Sequence, residues 1–149
     1  MHVREYRPSD CEDMVRLFRD TVKRVNSRDY DPVQIRVWAK RADPKKWNPS
    51  FMSHRSLVAV MDDEIVGFGD IDEDGYLDRL YVSADHQGEG IGTALCDELE
   101  KGFSAITTHA SITALPFFQK RGYMVIREQQ VILDDIPLTN YVMQKRKPF

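Results

Sequence analysis

The segment Leu80-Tyr81-Val82-Ser83-Ala84-Asp85-His86-Gln87-Gly88-Glu89-Gly90-Ile91-Gly92-Thr93-Ala94-Leu95 carries the residue types and spacing with the plainest chemical meaning. An apolar run passes into a turn with glycines at 88, 90 and 92, and the turn opens an apolar-periodic stretch. Glycine lets the backbone take positive φ and lets a ligand approach with no Cβ in the way. A helix N-terminus behind such a turn presents free N–H groups and a partial positive charge, which suits a phosphate. Two familiar phosphate loops do not fit. GxxxxGK[ST] requires a lysine that does not follow these glycines, and the dinucleotide fingerprint is GxGxxG where this turn reads GxGxG. A glycine-rich turn with no ligand is the alternative that spacing alone leaves open.

Asp78 and His109 are the residues placed to move a proton. By period two Asp78 shares a strand face with Leu80 and Val82, while Arg79 points to the opposite face, so the spacing predicts no immediate in-strand ion pair. A solvated or salt-bridged Asp is the plainer alternative. His109 closes a short β-prone run, and an imidazole titrating near ~6.5 suits base work; a surface or capping histidine is its plainer alternative. His2, His54, His86 and His109 show no HxxxH or HExxH spacing, so no metal site is expected. Cys11 and Cys96 form neither CxxC nor a zinc knuckle and sit among apolar residues at helical spacing, as small buried hydrophobes do. A disulfide between them stays open.

The elements that must position these residues follow from periodicity. Residues Val3-Arg4-Glu5-Tyr6-Arg7 alternate and stop at Pro8, a first strand. Ser9 or Asp10 caps a helix whose stripe is Cys11, Met14, Val15, Phe18, Val22 and Val25. A shorter helix runs from Pro32 through Trp38. Arg41–Ser56 holds Pro44, Pro49 and Trp47 without a clear period and reads as a loop or mobile lid. Leu57–Met61 and Ile65–Ile71 form a hairpin about Asp62-Asp63-Glu64, and Tyr76–Val82 is a third strand of that group. Gly90–Phe103 is a helix with Ile91, Leu95, Leu99 and Phe103 facing a core. Ala105–Thr108 is a strand, Thr113–Arg121 a short helix ended by Gly122, and Tyr123–Leu133 with Tyr141–Lys145 a final strand pair. The order β-α-α-β-β-β-α-β-α-β-β makes an α/β (α+β) mixed sheet, with a strand–helix–strand crossover returning parallel.

Composition bounds the function. The chain has 149 residues, a net charge of -3 and 42% hydrophobic residues, as expected of one globular domain over residues 1–149. Mild acidity argues against nucleic-acid partners, which demand a concentrated basic face. No apolar run approaches the ~18–20 residues of a membrane helix. The start Met-His-Val-Arg-Glu-Tyr lacks an apolar signal core, so a cytoplasmic protein without a membrane partner is expected.

Gln87-Gly88-Glu89-Gly90-Ile91-Gly92, after Leu-Tyr-Val and before Thr-Ala-Leu, resembles the Q/RxxGxG/A acyl-CoA motif of the GNAT N-acetyltransferases. Ala114-Leu115-Pro116-Phe117-Phe118-Gln119-Lys120-Arg121-Gly122-Tyr123 resembles the family's "A..fYeklGF" segment, in the matching order. The likeness covers nearly the whole chain, and His109 to Phe118 with Leu138 to Lys145 looks most like the small bacterial YafP-like group.

The resemblance implies a bacterial acyltransferase fold in which acetyl-CoA, with no metal, lies between two splayed parallel strands, here Tyr76–Val82 and Ala105–Thr108. Leu80-Tyr81-Val82 would flank the pantetheine arm, with backbone groups of Leu80 and Val82 pairing its amides. Amides from Gln87 through Thr93 would hold the pyrophosphate, and Ser111 stands where many relatives have Asn and can bond the pantetheine. The implied chemistry is direct attack of an amine on the thioester, which needs a base, an oxyanion donor near Val82 and an acid for the thiolate. Asp78 and His109 are the candidate bases. Phe118 stands where the family often has an acidic Tyr, so the acid falls to Ser111, Tyr123, Tyr141 or a water, or the thiolate leaves unprotonated. Tyr30, Gln34 and Trp38 lie on one helix face that in the family rims the acceptor site, with Trp47 and Phe51 in a lid over the same opening. The acceptor would be a small-molecule or protein amine. A non-catalytic acyl-CoA sensor and a protein–protein module with a degenerate site are the competing readings. An exposed edge near Tyr141–Lys145 offers a contact for a second copy, so monomer and homodimer both stay open.

Overall fold

The computed structural model describes residues 1–148. Seven strands form one mixed sheet in the order β1-β2-β3-β4-β5-β7-β6. They are β1 (His2–Glu5), β2 (Arg55–Met61), β3 (Glu64–Ile71), β4 (Tyr76–Val82), β5 (Ala105–Ser111), β6 (Met124–Leu133) and β7 (Ile136–Arg146). Helices α1 (Cys11–Arg24), α2 (Pro32–Ala39) and α3 (Pro44–Ser53) cover one face, and α4 (Ile91–Leu99) and α5 (Leu115–Lys120) the other. Strand β2 shows why its run is continuously apolar: Val58 and Val60 pack under α1–α3, while Leu57 and Ala59 pack under α4.

Local chemistry sets each helix end. Asp31 caps α2 in a reciprocal box with Gln34, its carboxylate accepting from Gln34 N at 2.8 Å while Gln34 Oε1 accepts from Asp31 N at 2.9 Å. The segment expected as a loop or lid is instead α3. Asp43 caps it, Pro44 occupies its first turn, and Trp47 and Phe51, four apart, are buried against Phe18 and Phe68. Tertiary burial outweighs the cost of Pro49 inside the helix. Tyr141–Lys145 is not an edge either, because β7 lies between β5 and β6, and β6 is the outer strand. Strand β6 ends at Leu133 as expected, but β7 begins at Ile136 rather than Tyr141, since a two-residue turn joins the two directly.

Behind α4 the fold is locked by a buried carboxylate. Glu100 accepts from Arg121 Nε at 2.7 Å, Tyr123 Oη at 2.7 Å and Lys145 Nζ at 3.0 Å, which ties the C-terminal end of α4 to α5 and β7. Burial works to raise its carboxyl, but these hydrogen bonds outweigh burial and hold it below the usual range. Gly67 lets α4 approach the sheet, since a Cβ there would meet Ile91 Cγ2 at 2.7 Å.

Both two-residue hairpins turn on Asp-Asp pairs in the left-handed region, Asp62 and Asp63 at φ 50 and 63, Asp134 and Asp135 at φ 47 and 64. Glycine carries no Cβ penalty at the second position of such turns. Asp63→Gly and Asp135→Gly are each expected to stabilise the chain by about 0.5 kcal/mol. Urea unfolding of each variant checks this, and a drop in stability for both would contradict it.

Candidate active site

Strands β4 and β5 run parallel but pair only at Tyr76↔Thr107 and Leu77↔Thr108 before separating. A β-bulge at Asp78 marks the point of separation: Arg79 pairs with Asp70 and Leu77 with Ile71, leaving Asp78 without a partner in β3. Beyond it Ser83 N bonds Val66 O at 2.8 Å, so Tyr81 turns its backbone to β3, and Leu80 and Val82 turn theirs toward β5. With β5 gone, these groups face an open cleft of about 630 Å³ that reaches both sides of the sheet. The Val82 carbonyl is already taken, accepting from Thr21 Oγ1 at 3.0 Å and Gln87 Nε2 at 2.9 Å. The Leu80 N–H and carbonyl and the Val82 N–H are left for a ligand.

At one mouth of the cleft lies the glycine turn. Gly88 and Gly90 sit at φ 74 and 84, with nothing within 4 Å of where a Cβ would be. Gly90 caps α4 in this left-handed state, which leaves the first amides of the helix bare and aimed outward. Ile91 is buried, and Gln87, Gly88, Gly90, Gly92 and Thr93 line the cleft beside it. Glu89 does not line it, its carboxylate facing His86 Nδ1 at 3.2 Å. Phe118 is buried beside Phe117 under the same wall, with no hydroxyl to offer. Bare helix amides at one end and an unpaired strand edge along the side fit a pyrophosphate followed by an amide-bearing arm, as in coenzyme A.

The side chains on the α1–α3 face were only partly foreseen. The bulge breaks the period-two pattern, so Asp78 does not share a face with Leu80 and Val82. It lies instead with Arg79, at 3.6 Å from that guanidinium, which is the salt-bridged alternative that simple alternation disfavours. Arg79 also holds the fully buried Asp70, Nε to Oδ1 at 2.9 Å and a terminal nitrogen to Oδ2 at 2.5 Å. His54 Nδ1 donates to the same Oδ2 at 2.7 Å, and the guanidinium lies over the Phe51 ring at 4.2 Å. Burial raises the Asp78 carboxyl above the usual range, only partly opposed by Arg79. Neither His54 nor Asp70 stood out in the sequence, since each takes its meaning from a fold contact.

His109 is exposed in the cleft, edge-on to Tyr76 at 5.1 Å, with Gln129 Nε2 at 3.5 Å from its Nδ1. Burial and then the charge of Arg127 lower its pKa, partly offset by Asp78. Ser111 lines the cleft and its Oγ accepts from Ala114 N at 3.0 Å, closing the turn that leads into α5. Tyr123 and Tyr141 do not line it, and Tyr123 is spent on Glu100, so Ser111 is the one named hydroxyl left there. Tyr30 and Trp38 meet in the cleft at 5.1 Å. Tyr30 Oη donates to Thr139 O at 2.6 Å and accepts from Ile112 N at 3.0 Å, so its hydroxyl is structural. Gln34 is not brought there, because its amide closes the α2 cap and donates to Pro137 O at 2.9 Å. Trp47 reaches the cleft from α3, but Phe51 stays in the core. Tyr76, Thr21 and Asn140 line the cleft and were missed; only Tyr76, two residues before Asp78, carried a signal in the sequence.

Comparison with known proteins agrees with this geometry. Residues 26–145 match the sequence model of the family described as "Acetyltransferase (GNAT) domain". The chain is 32% identical to the uncharacterized N-acetyltransferase YafP of Escherichia coli (strain K12) over 97% of its own length and 95% of that protein. A GCN5-related N-acetyltransferase from Rhodopseudomonas palustris superposes with a TM-score of 0.94 at 31% identity, over 98% of this chain and 95% of that one. The PaiA N-acetyltransferase of Thermoplasma acidophilum, solved with coenzyme A, shares the fold at a TM-score of 0.80 and 20% identity, over 98% of both chains.

The buried pair beneath the cleft sets a stability test. Asp70→Asn removes both hydrogen bonds that the buried Arg79 guanidinium makes to a carboxylate and leaves it only the Asp78 carboxylate at 3.6 Å. This is expected to cost about 3 kcal/mol, the low end for breaking a buried pair. Replacing Arg79 by Met in the same chain should recover part of that loss. A single-variant loss under about 1 kcal/mol in urea unfolding would contradict the role assigned to Asp70.

Proposed function

Because the chain belongs to the GNAT acetyltransferase family, we propose that it transfers the acetyl group of acetyl-CoA to a primary amine by direct attack in a ternary complex. The observation that carries this reading is the separation of β4 from β5 against the bare amides of α4. Acetyl-CoA supplies the activated thioester. The amides from Gln87 through Thr93 hold its pyrophosphate, and the free backbone groups of Leu80 and Val82 align the pantetheine arm as a partial strand addition. The Val82 N–H is the donor placed to steady a developing oxyanion. Phe118 and Phe117 wall the thioester end, and Ser111 is the hydroxyl nearest in role to the missing tyrosine.

Of the two bases, His109 fits better. Its lowered pKa favours the neutral imidazole, ready to take the proton that the acceptor nitrogen must lose to attack as a neutral amine. Asp78 is held by Arg79 and acts on His109 through its charge. Tyr30, Trp38 and Trp47 form the acceptor wall, open to an amine on a small molecule or a protein side chain.

Thermal stability with and without acetyl-CoA tests the binding step. At 100 times the dissociation constant a specific ligand adds about 2.7 kcal/mol, several degrees for a domain of this size. No shift at millimolar acetyl-CoA would overturn the reading, and a shift with no amine-dependent release of CoA would make the protein an acyl-CoA-binding module. The pH dependence of kcat/KM tests the base. A base works deprotonated, so activity falls as pH drops through its pKa. His109→Gln is expected to remove that acidic limb. Asp78→Asn removes the charge that favours the imidazolium and should shift the limb to lower pH; if it abolishes the limb instead, Asp78 is the base.

A further inference from the structure

Strand β7 sets Leu138, Asn140 and Val142 on one face by period two. In register, Asn140 lies beside Ser111 of β5 and Gln129 of β6, and Val142 lies beside His109. This is the α1–α3 face, where Leu138 packs with Ile35 and Trp38, and it is opposite to the face on which Leu80 and Val82 meet α4. Asn140 lines the cleft, yet its Oδ1 is buried with no hydrogen-bond partner, the one such side-chain atom among the described residues. An unpaired buried acceptor is costly to keep, and a binding site is where such a cost is repaid by a ligand. The polar groups sharing this part of the cleft include the Asp78 carboxylate, paired with Arg79, the His109 imidazole, and Ser111 Oγ, which already accepts from Asn26 Nδ2 and Ala114 N. The Asn140 oxygen is the acceptor among them with no donor of its own. Apolar side chains from α2, β6 and β7 surround them: Trp38, Val131, Leu133 and Leu138.

We propose that Asn140 is a recognition residue for the acceptor, its Oδ1 receiving an N–H from a primary amine carried on an apolar body that packs against Trp38, Val131 and Leu133. The inference rests on the transfer reading for its biological meaning, but the binding it describes is measurable without turnover. A donor-rich nitrogen satisfies the orphan oxygen, and the surrounding wall selects a hydrocarbon or aromatic substituent over a polyhydroxylated one. Asn140 is a binding residue here and moves no proton.

The chain has 2 tryptophans, and both Trp38 and Trp47 line the cleft, so their fluorescence reports occupancy directly. Phenethylamine is the probe, titrated into the protein saturated with CoA, with ethanolamine as the polar comparison. Phenethylamine should bind and ethanolamine should bind at least tenfold more weakly, about 1.4 kcal/mol. Asn140→Leu should weaken phenethylamine about tenfold, while its melting temperature does not fall and its affinity for acetyl-CoA is unchanged. Asn140→Asp, which keeps an acceptor oxygen at that point, should retain binding. Three results would overturn the proposal: no binding of phenethylamine to the unaltered protein, equal affinity in Asn140→Leu, or loss of stability and acetyl-CoA binding together in that variant. Asn140-dependent binding with no release of CoA would sink the transfer reading and leave this inference standing. Release of CoA with a KM indifferent to Asn140→Leu would do the reverse.

Discussion

Everything in this molecule turns on hydrogen bonds that two neighbouring strands do not make. A sheet interior normally pairs each backbone N–H and carbonyl, because a buried unpaired one is costly. Here β4 and β5 share two register positions and then part, and the bulge at Asp78 rotates the remainder of β4 so that Leu80 and Val82 face the opening. Part of the deficit is met internally, with Thr108 Oγ1 donating to Leu77 O at 2.9 Å and Thr21 and Gln87 donating to Val82 O. What is left over is an unpaired edge that faces the cleft. The cleft is therefore a consequence of strand geometry, and the side chains around it refine what it accepts.

Holding two strands apart requires each to be anchored elsewhere. On the β4 side the anchor is Asp70, which joins Arg79 to β3 and, through His54, to the end of α3. On the β5 side it is Glu100, which joins α4 to α5 and β7 through Arg121, Tyr123 and Lys145. Both carboxylates are buried and both are multiply hydrogen-bonded, the condition under which a buried charge is tolerable. The same arrangement keeps the amides of α4 pointing at a fixed place relative to β4, since Gly67 lets the helix sit directly on the sheet.

The sequence was most legible where local chemistry and tertiary structure ask for the same residue. The glycine turn, the strand before it and the Ile91, Leu95 and Leu99 stripe of α4 match the reading because left-handed φ, close approach and apolar spacing are local demands, whereas Phe103 falls beyond the helix, which stops at Leu99. It was least legible where a non-local contact decides. Alternation could not foresee the bulge, because Asp78 is skipped only in relation to Asp70 and Ile71 across the ladder. Pro49 concealed α3, whose stability comes from Trp47 and Phe51 in a core assembled from distant segments. Gln34 was on the expected face in projection, but its amide is consumed by the cap of its own helix. Asn140 had no local signature at all; its interest arises from an oxygen that folding buries and leaves alone.

Cys11 and Cys96 are both free and buried, on opposite faces of the sheet. Burial pushes the Cys96 thiol up to about 12 against the weaker charge of Arg121, and raises that of Cys11 against a hydrogen bond with Tyr6 and the charge of Arg79. Thiol–disulfide exchange and acyl transfer to sulfur both begin from an exposed thiolate. A catalyst of the proposed reaction liberates a thiol at every turnover, and this chain offers that thiol no sulfur to pair with. Its two thiols are thereby kept from forming mixed disulfides with that product and from taking the acyl group themselves.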